Sequence, residues 1–161
     1  MAVDYFLKID NIPGESQDHK HKNEIELLSF SWGETQSGTS AFGGGMGAGK
    51  VQMQDFHFVM RTNKAAPKLF AACASGDHIK NAILTCRKAG TEQQEFLKVT
   101  FTDILVSSFQ TGGSGQGEDI PNDQISLNFS KVEIEYKEQQ ADGTLMGPIK
   151  HGWDLKTNKK V

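Results

Sequence analysis

The chain has 161 residues, a formal net charge of −3, 37% hydrophobic and 23% charged residues and two cysteines, a size that fits one domain, residues 1–161, hiding roughly 70% of the surface its unfolded chain exposes. The acidic balance argues against a nucleic-acid partner, which requires clustered Lys and Arg on one face. No segment approaches the ~20 apolar residues of a membrane span, which argues against membrane insertion, and Asp4 in the opening MAVDYFLKID argues against a signal peptide, so the chain is expected to fold in the cytosol.

In chain order, Val3, Tyr5, Leu7 and Ile9 alternate with Asp4 and Lys8, and this period of two predicts a half-buried strand. A polar stretch rich in His and Lys, 11–23, leads to a second strand over 25–32. The glycine-rich segment 33–50 follows, and Val51 opens the next strand region, where Phe56, Phe58 and Met60 alternate with Asp55 and His57. Ala66, Leu69, Phe70 and Cys73 fall at i, i+3, i+4 and i+7 and predict one helix, with Ala66 as N-cap, Pro67 in the first position and Gly76 at C′. Four more strands are predicted at 82–87, 96–109, 124–136 and 149–155, with a third long loop over 111–123.

Two of these strands change phase. Leu97, Val99 and Phe101 are odd-numbered, then Ile104 and Val106 even; Ile125, Leu127 and Phe129 are odd, then Val132, Ile134 and Tyr136 even. Within one strand such a change implies a bulge or a sharp bend. Long bent antiparallel strands suit a closed or nearly closed barrel. The predicted fold is therefore mainly β: a small antiparallel β-barrel of two packed sheets with one flanking α-helix and long loops. Its inward positions are mostly Phe, Val, Ile and Leu, which predicts a packed core rather than a ligand cavity.

No catalytic constellation stands out. Gly44 to Lys50 fits GxxxxGK, but Val51 follows and opens a strand, so the helix N-terminus a phosphate loop needs is missing. Gly43, Gly45 and Ala48 fit GxGxxA without the βαβ alternation that gives the pattern meaning. Both near misses to GxSxG, at Ser40 and Ser114, fail at the final glycine. His19 and His21 lie in HKHK, where two lysines repel a metal ion, and are expected in a solvated loop. His57, His78 and His151 have no carboxylate spaced in sequence to tune them. Cys73 and Cys86 show no metal spacing and are expected as reduced, buried thiols. Asn128, Phe129 and Ser130 form a glycosylation sequon, discounted because it lies inside a strand. No cofactor or metal is expected. The glycines of the 38–50 arm then serve the backbone, as an adaptable segment that gains order when packed on a neighbour.

Several short motifs, in their order and spacing, resemble one family. They are GES at Gly14 to Ser16, SWG at Ser31 to Gly33, TQSG at Thr35 to Gly38, GAGKV, and QD at Gln54 and Asp55. PKLFAACASGDH, LTCRKAG, ILVSS followed by TGGSG, DG at Asp142 and Gly143, and HGW at His151 to Trp153 complete the series. Together they resemble the Hcp (haemolysin-coregulated protein) family of type VI secretion over essentially the whole chain. The resemblance implies a phage tail-tube-like fold, a homohexameric ring, and rings stacked as a hollow tube within a contractile sheath. It implies a tip protein of the VgrG type and effector proteins in the lumen as partners, secretion into the medium or a target cell, and no enzymatic turnover. Ser31 and Ser114 match lumen-facing positions. The arm with Gly38, Phe42, Gly43, Gly44, Gly45, Met46, Gly47 and Lys50 matches the loop that contacts adjacent subunits and the next ring. Ala41, Phe42 and Met46 depart from the family pattern. A ring that binds effectors without building a tube, or a small-ligand-binding barrel, are the alternative readings.

Overall fold

The computed structural model describes residues 3–36, 50–88, 93–117 and 120–161. In chain order these form β1 (Val3–Ile9), β2 (Ile25–Glu26), β3 (Ser29–Ser31), β4 (Glu34–Thr35), β5 (Gln52–Met53), β6 (Phe56–Arg61), α1 (Ala66–Ser75), β7 (His78–Lys88), β8 (Glu95–Gly112), β9 (Asn122–Tyr136), β10 (Ile149–Asp154) and β11 (Lys159–Lys160). All seven expected strands are present; the second is split into β2 and β3, and β4, β5 and β11 are short additions.

Pairing is antiparallel throughout, in the order β11-β10-β9-β8-β7-β1-β2, with β6 also on β9 and β3 on β6, and a separate β4–β5 pair. β9 sets this arrangement, because it is long enough to hold two partners on one edge: β6 along 122–127 and β10 along 131–136. β8 runs along its other edge. The ladders stop short of a closed barrel. β2 hangs on β1 and β3 on β6, and between them the chain crosses over on single bonds, Leu27 N–H to Tyr5 O at 3.0 Å and Leu28 N–H to Val59 O at 2.8 Å. A strand this short cannot ladder fully with both neighbours, so it switches from one to the other.

The phase changes of β8 and β9 fall at one rung. Thr102 pairs with Lys131 and Ile104 with Phe129 in constant register, so no residue is inserted and both strands turn over together. Asp103 makes the turn at φ 59°, a left-handed conformation that Asp tolerates better than most residues. Lys156 Nζ (2.6 Å) and the Ser130 hydroxyl (3.0 Å) hold its Oδ2, with His78 Nδ1 3.4 Å from Oδ1. Lys156 first, then Ser130, keep this carboxyl below the usual carboxylate range. The one-residue slip that the phase change suggested lies further along, between Val106 and Ser108.

The core is one cluster in which Phe56, Phe58, Phe101 and Leu127 meet Leu7, Ile25 and Leu84. Helix α1 covers part of it with Ala66, Leu69 and Ala72. Its N-cap is Ala65 rather than Ala66, which moves Pro67 to the second position. Ala65 offers no side-chain acceptor; Asn63 Oδ1 accepts the Ala65 N–H at 2.8 Å, and Glu15 Oε2 the Lys64 N–H at 3.0 Å. Gly76 ends the helix at φ 70°, as the sequence suggests. Phe70 does not join the buried stripe. It lies one residue, about 100° of rotation, past Leu69, is 60% exposed and rests edge-on against Phe109 with ring centroids 6.0 Å apart.

The second departure is on β1. Its expected solvent face carries Phe6, buried at 2% exposure, because the polar 13–24 segment folds back over it. Gly14 N–H bonds Asn23 O, Asn23 N–H bonds Ser16 O, and Ser16 N–H bonds Glu24 O, at 2.8, 2.9 and 3.0 Å. Gly14 must be glycine there, since a Cβ would stand 2.5 Å from Glu24 O. Beneath the flap, buried Arg87 bonds Asp18 through Nη1 (3.0 Å) and Nη2 (2.6 Å), and Asp4 through Nη2 (3.2 Å). Its guanidinium carbon lies 4.8 Å from the Phe6 ring centre. His21 is therefore not in a solvated loop: its ring stacks on Phe6 at 4.5 Å, and its nitrogens meet Glu24 (2.9 Å) and Glu95 (2.7 Å). His19 is exposed, as expected.

Candidate functional site: a polar strip on the sheet

Alternation along β6 sends Phe56, Phe58 and Met60 into the core and His57 and Arg61 to the other face. On that outer face the register brings four strands into line. Ser31 of β3 pairs with His57 of β6, His57 with Ser126 of β9, and Ser126 with Ser108 of β8. Two residues along, Ser29, Val59, Gln124 and Gln110 form the next same-face row. Asp55 caps one end, accepting from Ser107 Oγ at 2.6 Å and Asn128 Nδ2 at 2.9 Å. Arg61, opposite Asn122, stands at the other.

A groove of about 500 Å³ runs along these rows, lined by Ser29, Ser31, His57, Ser108, Gln110 and Gln124 among others. A second, of about 320 Å³, continues from Gln110 and Gln124 to Ser114. The two serines singled out in the sequence, distant along the chain, thus border one continuous strip. Both are exposed, and Ser114 Oγ also accepts the Gln116 N–H at 3.3 Å. Of the arm residues, Gly38, Phe42, Gly43, Gly44, Gly45, Met46 and Gly47 lie outside the described residues; Lys50 is described and exposed.

The strip contains one pair that sequence reasoning missed. His57 Nδ1 lies 2.5 Å from Ser126 Oγ, across 69 residues of chain, and only the β6–β9 register could have shown it. It lacks the arrangement of an acyl-transfer centre. Ser126 is buried at 6% exposure, and the bonds of Asp55 go to Ser107 and Asn128 rather than to the imidazole. Among the described residues no three His, Cys, Asp or Glu side chains converge to hold a metal. Cys73 and Cys86 are both free thiols; Cys73 is only half-buried, while burial pushes the Cys86 thiol up to about 11. No helix among the described residues is long and apolar enough to cross a membrane.

A cleft of about 580 Å³ opens at the base of the arm, lined by Trp32, Met53, Val132, Ile134, His151 and Trp153 among others. The indole Nε1 atoms of Trp32 and Trp153 are buried without a partner among the described residues. Ile134 pairs with His151 and Tyr136 with Ile149, so a half-exposed apolar row continues from the cleft along the same sheet face.

Among the described residues the chain builds a packed antiparallel sheet, one helix and an outer polar strip. The sequence model of the family described as "Type VI secretion system effector, Hcp" matches residues 6–136. Protein hcp1 of Pseudomonas aeruginosa is 49% identical over 160 residues, 98% of each chain. The crystal structure of Hcp1 from Salmonella typhimurium superposes with a TM-score of 0.81 at 42% identity, covering 100% of both chains. A structure described as a type six secretion system protein gives 0.94 at 33% identity, covering 99% of this chain and 100% of that one. The chain belongs to the Hcp family, the secreted, self-assembling tube proteins of type VI secretion.

Proposed function

We propose that residues 1–161 form one domain that serves as the structural subunit of the type VI inner tube, working by assembly and passage rather than by turnover. Copies close into a six-membered ring, rings stack within a contractile sheath behind a tip protein of the VgrG type, and effectors travel in the lumen. The tube is built in the cytoplasm and expelled on contraction. The arm from Gly38 through Phe42, Gly43, Gly44, Gly45, Met46 and Gly47 to Lys50 makes the contacts between subunits and rings. The observation that carries the reading is the strip joining Ser31 to Ser114 across four strands. Its rows are small, polar and almost uncharged, with Asp55 and Arg61 only at the ends. The two central rows do not grip varied cargo by charge, and their one apolar side chain is Val59; exposed Ile120 lies beyond them, beside Ser114.

The test is retention of an effector encoded beside the secretion genes of the same genome and held by the unmodified ring. Ser31→Trp and Ser114→Trp leave fold and ring mass unchanged and lower retention at least tenfold. Retention at the unmodified level in both variants would remove the strip from the lumen.

A further inference from the structure

The two central rows of the strip hold one exposed side chain whose hydrogen-bonding direction is fixed. Their exposed serines and glutamines can rotate to donate or to accept. His57 cannot, because Ser126 Oγ sits 2.5 Å from its Nδ1. Ser126 is buried, and His57 is the only side-chain partner of its hydroxyl among the described residues. A buried hydroxyl hydrogen left without an acceptor costs the full desolvation of that donor, more than a made hydrogen bond contributes net. The lower-energy arrangement has Ser126 O–H donating to Nδ1, which places the ring proton on Nε2. His57 is exposed, so that N–H is presented to the groove, directly beside Ser31 in the cross-strand pair. Strand pairing sets these two Cα atoms roughly 4.5–5.5 Å apart, close enough to meet one ligand group together.

We propose that His57, held in its Nε2–H form by Ser126, is the specificity-determining residue of the strip, donating to an oxygen acceptor on the cargo polypeptide while Ser31 adapts beside it. The surroundings define the acceptor. The two central rows, Ser31–His57–Ser126–Ser108 and Ser29–Val59–Gln124–Gln110, carry no Lys, Arg, Asp or Glu. A strongly anionic ligand would find no counter-charge there, and an apolar one only Val59. A main-chain carbonyl, or a side-chain amide, finds a fixed donor flanked by adaptable hydroxyls. Selectivity then follows from geometry: a cargo surface that turns a donor toward Nε2–H leaves two donors facing each other, and is rejected.

This inference rests on the lumen reading and is tested so that the two can fail separately. The probe is the retained effector used for Ser31→Trp, measured on rings of equal mass. His57→Phe and His57→Ala lower retention about five- to tenfold, the worth of one well-placed hydrogen bond per subunit. His57→Gln, whose amide can reach outward as a donor, restores most of it. Loss with Ser31→Trp but full retention with His57→Phe would overturn the role of His57 and leave the lumen reading standing; full retention in both would overturn the reading itself. Equal loss in His57→Gln and His57→Ala would overturn the donor assignment. An independent readout needs no variant: nitrogen NMR of histidine-labelled protein shows the proton of neutral His57 on Nε2, and finding it on Nδ1 contradicts the proposal.

Discussion

Arg87→Ala is expected to destabilise the fold by about 3–5 kcal/mol and to free residues 13–24 from β1. Arg87 is 1% exposed and joins three pieces of chain: β7, which carries it, β1 through Asp4, and the flap through Asp18. Truncation leaves the Asp18 carboxylate beneath the flap with only the Lys20 and His21 N–H groups, at 3.0 and 3.3 Å, and strips one face from the Phe6 ring. The loss is mainly the cost of stranding a charge, so it exceeds the net worth of the ion pair.

The same cluster sets an acid dependence. Arg87 first, against an opposing burial effect, and then the Lys20 N–H hold the Asp18 carboxyl far below the usual carboxylate range. A depressed folded value means that the contribution is complete above the unfolded value of about 3.9 and is lost as pH falls through the folded one. Urea midpoints of the parent and Arg87→Ala should therefore differ most near neutral pH and draw together in strong acid. Both are read at equal protein concentration, because assembly adds its own stabilisation. An Arg87→Ala midpoint equal to that of the parent at pH 7 would show that the flap is held without the clamp.

Phe101→Ala is the second large effect, with an expected cost of about 3–5 kcal/mol. The ring is fully buried, with centroids 4.7 Å from Phe129, 4.8 Å from Phe56 and 5.8 Å from Trp32. It also sits two residues before the Asp103 bend, where both long strands turn over and the backbone is least free to collapse into a void. The cost combines lost burial with a cavity and with broken ring–ring contacts, edge-on to Trp32 and tilted to Phe56 and Phe129, worth about 0.5–1.5 kcal/mol each. Urea unfolding followed by tryptophan emission measures it, since Trp32 packs edge-on against Phe101. A loss below 1 kcal/mol would mean that the neighbouring rings refill the space.

Most of the strand set was legible because a half-buried strand writes its two faces directly into the alternation of residues, as Phe56, Phe58 and Met60 do. The bend was legible too, from a phase change in each of two strands, although sequence could not show that both changes share a rung. What stayed hidden depends on contacts between distant segments. Alternation placed Phe6 outward because nothing in β1 signals that 13–24 will cover it, and His21 looked solvated for the same reason. Phe70 fits helical spacing, yet the buried stripe of α1 is narrow, made by Ala66, Leu69 and Ala72. At the candidate site, Ser31 and Ser114 came from the family resemblance, whereas the Ser31–His57–Ser126–Ser108 row exists only through three strand registers.

A chain that works as a closed ring with the polar strip inside has a defined particle mass. Light scattering behind a sizing column, at several concentrations, tests it most directly. A closed ring gives a particle near six times 17.7 kDa, its mass unchanged by Ser31→Trp; a monomer at every concentration rules the ring out.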